Sequence, residues 1–123
     1  MERAIRITAG PVSTEARLND SKTAGAIWDA LPIEAKGQTW GEEIYFDIGL
    51  AAPAEKAREV VDVGDLAYWP PGQAFCIFFG RTPASRGDEC RAASPVNVVG
   101  KIVGDARVFT KVRSGSRVTI ERQ

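Results

Sequence analysis

The 123-residue sequence contains no histidine. That absence removes the usual general base and rules out any Ser-His-Asp or Cys-His nucleophilic site within one chain. It also removes the commonest nitrogen ligand for zinc. Only two cysteines are present, Cys76 and Cys90, and they do not form a CxxC pair. Two thiols and carboxylates alone make a poor zinc set, so neither a metal nor any other cofactor is expected. Two thiols with no disulfide framework fit a reducing compartment. No apolar run approaches the ~18 residues of a spanning helix, which excludes a helical membrane protein. The start, Met1-Glu2-Arg3-Ala4-Ile5-Arg6, lacks a basic segment followed by an apolar one, so no secretory signal is expected and the location is expected to be cytoplasmic. The formal net charge is zero. Phosphate binding needs a cationic excess, so nucleic acid is excluded as the main partner. No glycine-rich phosphate loop is present either, because Gly72 belongs to a Pro-Pro-Gly turn.

What is present fits one globular domain spanning residues 1–123. Hydrophobic residues make up 44% and charged residues 26%, close to the globular average. Charge is unevenly distributed. Residues 15–65 hold eleven acids and five bases, whereas residues 101–123 hold six bases and two acids. Neighbouring strands from the two segments are expected to neutralise each other.

Strand signals dominate. Residues 3–8 and 12–18 read as a hairpin about Gly10-Pro11. Asn19-Asp20-Ser21 offers helix caps, and Ala24, Ile27, Trp28 and Leu31 then form one apolar stripe closed by Pro32. Trp28 is expected in the core. Ile33–Lys36 is a short strand ending at Gly37. In residues 43–48, Ile44, Phe46 and Ile48 share one face, and Glu43, Tyr45 and Asp47 share the other. Residues 66–80 read as two aromatic-rich strands hinged at Pro70-Pro71-Gly72. A polar loop over 81–93 follows, with Cys90 expected to be exposed. Further strands are expected at 96–103, 107–112 and 117–121. The sum is an all-β domain of about eight strands with one or two short helices. A closed barrel would hide the edges of so many short strands.

The order of these elements resembles the cyclophilins. Ala16–Ala24 resembles the passage where a strand ends and the first helix opens on Lys-Thr-Ala. Gly64–Tyr68 running into Phe75-Cys76-Ile77 resembles the strands bearing part of the proline pocket. Val98–Ile102 resembles the Gly-Lys strand, and Val118-Thr119-Ile120 the closing strand. Tyr68–Gly72, Cys76–Gly80, Thr82-Pro83 and Ser94–Ile102 are closer still to a small prokaryotic cyclophilin-like family of unknown function. The resemblance implies a closed eight-stranded cyclophilin-like barrel. It does not carry over the isomerase residues. The region 36–46 holds neither the arginine nor the histidine of the cyclophilin motif, and Ala74 stands where a glutamine is expected. Gln73 is one position away, hence on the opposite face of a strand. The tryptophan and histidine that precede the Gly-Lys strand in cyclophilins are missing as well. No catalytic residue is therefore assigned, and prolyl isomerisation is not expected.

Tyr45, Cys76 and Phe78 fall on the face away from the core, with Trp69, Pro70 and Gln73 at or beside the hinge. These six residues form a candidate aromatic groove for a small molecule or short peptide. The same face also suits lying under the 81–93 loop or against a second copy in a homodimer. An enzymatic role, as a weak isomerase or as a subunit of an amide-hydrolysing complex, is a further alternative.

Overall fold

The computed structural model describes residues 2–123. Two β-strands, β1 (Arg3–Ala9) and β2 (Val12–Leu18), form the expected hairpin. The tight connection is made by Gly10 at φ +54° and Pro11. Asn19 and Ser21 then start the helix. The Asn19 side chain accepts from Ser21 N–H, and Ser21 Oγ caps α1 (Lys22–Ala30) by accepting from Ala24 N–H at 3.1 Å. The Glu55 carboxylate accepts the Lys22 and Thr23 N–H groups at 3.0 Å, filling two of the donors a helix start leaves free. The Thr23 hydroxyl, which donates to the same carboxylate at 2.7 Å, and then these two N–H groups hold the Glu55 carboxyl below its ordinary range.

Eight further strands complete the chain: β3 (Ile33–Lys36), β4 (Gln38–Thr39), β5 (Glu43–Asp47), β6 (Arg58–Val61), β7 (Asp65–Trp69), β8 (Ala74–Phe78), β9 (Cys90–Ile102) and β10 (Arg117–Arg122). All pairings are antiparallel, in the order β3-β10-β1-β2-β9-β7-β8-β5-β4, with β6 paired to β9. The described residues thus hold ten strands rather than eight. No ladder joins the two ends of the sheet, so the barrel is not closed by hydrogen bonds. Its ends, β3 and β4, are instead successive segments separated by Gly37. A Cβ at Gly37 would sit 2.9 Å from both Ile44 and Val118. Only glycine lets the chain leave one edge for the other at that point.

The main core lies inside the curled sheet. It contains Ile5, Ile7, Ile44, Phe46, Phe75 and Ile77, with α1 contributing Ala24 and Ile27. Phe46 stacks on Phe75 with ring centroids 5.4 Å apart. Trp28 is only half-buried. Its ring packs against the edge of the main core and lies under two guanidinium groups, Arg122 at 4.7 Å and Arg3 at 5.3 Å. The expected strand at 107–112 is a 3-10 helix over Ala106–Lys111. Asp105 caps it by accepting from Arg107 N–H, and only Ala106 and Phe109 are buried within it.

The sheet has a second, smaller apolar layer on its outer side. β9 is long, and its two halves have different partners. Residues 97–102 pair with β7 and β2, whereas residues 90–96 fold over the outer face and pair with β6. This two-stranded ribbon buries Val61, Cys90, Ala92 and Val96 against Ala67, Cys76 and Phe78. Cys90, expected in an exposed loop, is therefore a buried strand residue with 3% of its surface accessible. Among the described residues no helix is long and apolar enough to cross a membrane.

Candidate functional site

The outer face of β5, β8 and β7 carries the site. Strand alternation places Glu43 and Tyr45 on the same side of β5. Register sets Tyr45 opposite Cys76, Glu43 opposite Phe78, and Ala67 opposite Cys76. The β6/β9 ribbon covers one part of this face and leaves the rest open. Between the ribbon and β5 lies a cavity of about 260 Å³. Cys76, Glu43, Ala92 and Val96 are its buried lining residues. Trp40 and Tyr45 come from one side, and Trp69 with Ala92, Ala93 and Val96 from the other.

Each aromatic is held by local structure. Trp40 sits in the turn between β4 and β5, where its N–H donates to Glu43 O at 2.9 Å. Tyr45 is half-buried. Trp69 ends β7 just before the 3-10 turn Pro70–Gly72. Its Nε1–H donates to Ser94 Oγ at 2.7 Å, which ties the indole to the ribbon. Gly72 lies so close beneath the ring that a Cβ there would be 2.7 Å from Cε3 and Cζ3. The Pro-Pro-Gly turn is thus a support for Trp69.

The site's one carboxyl is unusual. Glu43 is only 6% exposed. Burial pushes its carboxyl up from 4.5 to about 7, opposed in part by a hydrogen bond from the Cys76 thiol. Burial also pushes Cys76 well above its ordinary 9, and the neighbouring Glu43 adds to the rise. Moving the thiol proton to the carboxylate is therefore uphill, and Cys76 is not an activated nucleophile. Burial likewise raises Cys90 to about 12. A carboxyl near 7 is poised to hold or release a proton at neutral pH.

The structure brings together three of the six residues singled out from sequence: Tyr45, Trp69 and Cys76 line the cavity. Phe78 belongs to the same face but is fully buried under the ribbon. Pro70 and Gln73 do not line it. Gln73 is exposed in a left-handed conformation, φ 48°, at the end of the 3-10 turn. The sequence reading leaves out Trp40, Glu43, Ala92, Ala93 and Val96. Glu43 is legible, since it alternates with Tyr45. The ribbon residues are not, because only the fold-back of β9 delivers them. Among the described residues no group of histidine, cysteine, aspartate and glutamate side chains is arranged to hold a metal.

Comparison with known proteins gives a single picture. The family described as Cyclophilin-like matches residues 3–121. The solution structure of a hypothetical protein from Archaeoglobus fulgidus superposes with a TM-score of 0.84 at 41% identity, covering 99% of this chain and 95% of that one. No curated protein matches the chain.

Proposed function

We propose that this chain, which belongs to the cyclophilin-like family, is a ligand-binding module that takes a small, largely apolar group into the Trp40–Tyr45–Trp69 cavity and does not isomerise prolyl bonds. The observation that carries this reading is the pairing of an aromatic-walled opening with a buried carboxyl. A cavity of about 260 Å³ lies just below the roughly 300–1,000 Å³ typical of drug-sized ligands. It suits one compact group, either a metabolite or a single side chain of a peptide. Aromatic walls supply area, and one polar group fixes orientation.

Isomerisation needs a positioned donor aimed at the prolyl amide. The cavity lining offers no arginine, histidine or glutamine. Its hydrogen-bonding groups are Glu43, Tyr45, Cys76 and the two indole N–H groups, of which Trp69 Nε1–H is already engaged by Ser94.

Both halves are tested with the same sample. A fragment panel is titrated while Trp40 and Trp69 indole resonances are followed by NMR, with Trp69→Ala as control. Ligands should shift both indoles in the native chain and lose affinity in the variant. A coupled isomerase assay should return the uncatalysed rate. Indole signals that no fragment moves would end the binding reading, and turnover above background would end the other half.

A further inference from the structure

We infer that the group held in this cavity is a methylated, organic ammonium cation, seated against Trp40, Tyr45 and Trp69 with its charge facing Glu43. The inference rests on the cavity being a ligand site, as proposed above. Two of the chain's three tryptophans and one of its two tyrosines converge on one small opening. Aromatic faces attract cations, and desolvation strengthens that attraction. The one charged side chain in the lining is an acid, and no lysine or arginine enters the cavity.

Among the described residues Glu43 is buried without a cationic partner. Its ionisation is opposed by desolvation, and the group bonded to it is a thiol rather than a base. A buried carboxylate is costly unless paired. A cation arriving from solution supplies the missing partner, and the free protein meanwhile holds the carboxyl near neutrality.

The choice of a methylated rather than a primary ammonium follows from the hydrogen-bond inventory. A primary ammonium carries three N–H donors that each need an acceptor. The lining side chains offer three acceptor oxygens, two on the Glu43 carboxyl and one on Tyr45, so a primary ammonium is satisfied only by aligning all three N–H groups at once in an otherwise aromatic and apolar lining. The Trp69 N–H is a donor already committed to Ser94 at 2.7 Å. A trimethylammonium head has no N–H to satisfy and presents a methyl surface to the rings.

Among the described residues the titratable groups packed about Glu43 are the thiols of Cys76 on β8 and Cys90 on β9, with Tyr45 on its own strand; none is a cation. Glu42, next in the chain, is exposed and points elsewhere, accepting from Arg81 N–H at 3.3 Å. Binding a cation therefore favours the ionised form of Glu43 alone. With that carboxyl half-ionised at about pH 7, apparent affinity follows its ionised fraction and rises about tenfold between pH 6 and pH 8.

The test uses choline chloride, its neutral isostere 3,3-dimethyl-1-butanol, and methylammonium chloride. Each is titrated into the full chain at pH 6 and pH 8, with chemical shifts of the two indoles as readout. Choline should bind at least tenfold more tightly than the isostere at pH 8, methylammonium should be the weaker cation, and choline affinity should rise about tenfold from pH 6 to pH 8. Glu43→Gln should abolish both the rise with pH and the preference for choline over the isostere. Its thermal transition, recorded alongside, shows that it is folded. Trp40→Phe, a milder change, should keep binding. Equal affinity for choline and isostere, or choline affinity that falls with pH, overturns the ammonium assignment and leaves the cavity a ligand site. Silence of both indoles toward all three probes and toward the fragment panel overturns the site itself.

Discussion

Replacing Glu43 by glutamine should stabilise the protein, and should do so only where the carboxyl would be charged. Below pH 4.5 the group is neutral in both folded and unfolded chains, so its burial costs little. Above about pH 7 it is ionised in both, and the folded state bears the full cost of a buried charge. Between these values the unfolded chain has released its proton and the folded chain still holds it. The folded state binds more protons there, so stability falls as pH rises through that window. The gap from 4.5 to about 7, at about 1.4 kcal/mol per pH unit, is worth about 3 kcal/mol. Glu43→Gln keeps the shape and the capacity to bond Cys76 but carries no charge. Urea melts at pH 4 should give equal midpoints for the two proteins. At pH 8 the variant's midpoint should be higher by roughly 1–3 M, given a slope of about 1–3 kcal/mol per M for a domain of this size. Other carboxyls are also shifted by the fold. Asp65 is raised by burial, and Glu55 and Glu89 are lowered by hydrogen bonds. They are common to both proteins, so the difference between the two curves isolates Glu43. A midpoint difference that does not change from pH 4 to pH 8, or a variant weaker at pH 8, would refute the account of Glu43 as a carboxyl strained by burial.

Three further perturbations probe the architecture around the site. Gly72→Ala should displace the Trp69 indole, break its bond to Ser94 and red-shift tryptophan emission, at a cost of about 1–3 kcal/mol from overpacking. Asn97→Ala should cost about 2–3 kcal/mol in a urea melt. Asn97 is buried, donates to Thr23 Oγ1 and Pro53 O at 3.0 Å, and accepts from Glu55 N–H at 2.8 Å, so its loss takes these partners from Pro53 O and Glu55 N–H in one loop and unties that loop from α1 at Thr23. Both thiols should react with an aromatic disulfide reagent only on unfolding. Cys76 is 2% and Cys90 3% exposed, and burial raises both pKa values, so rapid labelling of the native chain would contradict the buried ribbon.

Local signals made much of the frame readable. The hairpin of β1 and β2 is written in Gly10-Pro11 and in alternation on either side. The start of α1 is written in Asn19 and Ser21, whose side chains make the expected caps. The 3-10 helix at Ala106–Lys111 defeats the same method for a local reason. Val108, Phe109 and Val112 sit among polar residues as a short strand's would, and the period of so brief a segment does not separate the two. The cue is Asp105, a capping side chain directly after Gly104 at φ +92°. Closure was harder to read. An eight-stranded barrel follows from counting apolar runs, but β4 has two residues and pairs only because Gly37 passes between Ile44 and Val118.

The site divides along the same line. Alternation puts Glu43, Tyr45, Cys76 and Phe78 on the outer face, and that much is local. Which of them meets solvent depends on β9, whose first half leaves the sheet and lies back across it. Its residues 90–93 read as part of a polar loop because Arg91 pairs with Glu59 and Glu89 on the ribbon's outer side, masking the inward alternation of Cys90 and Ala92. That fold-back converts an exposed aromatic face into a bounded cavity. It covers Phe78 completely, fixes Trp69 through Ser94, and leaves the buried Glu43 carboxyl in the lining of the opening, with no cationic side chain among the described lining residues. The chemistry of the site is therefore a consequence of where one strand changes partners. A chain with the same strand alternation but no ribbon would leave Glu43 in water at an ordinary pKa.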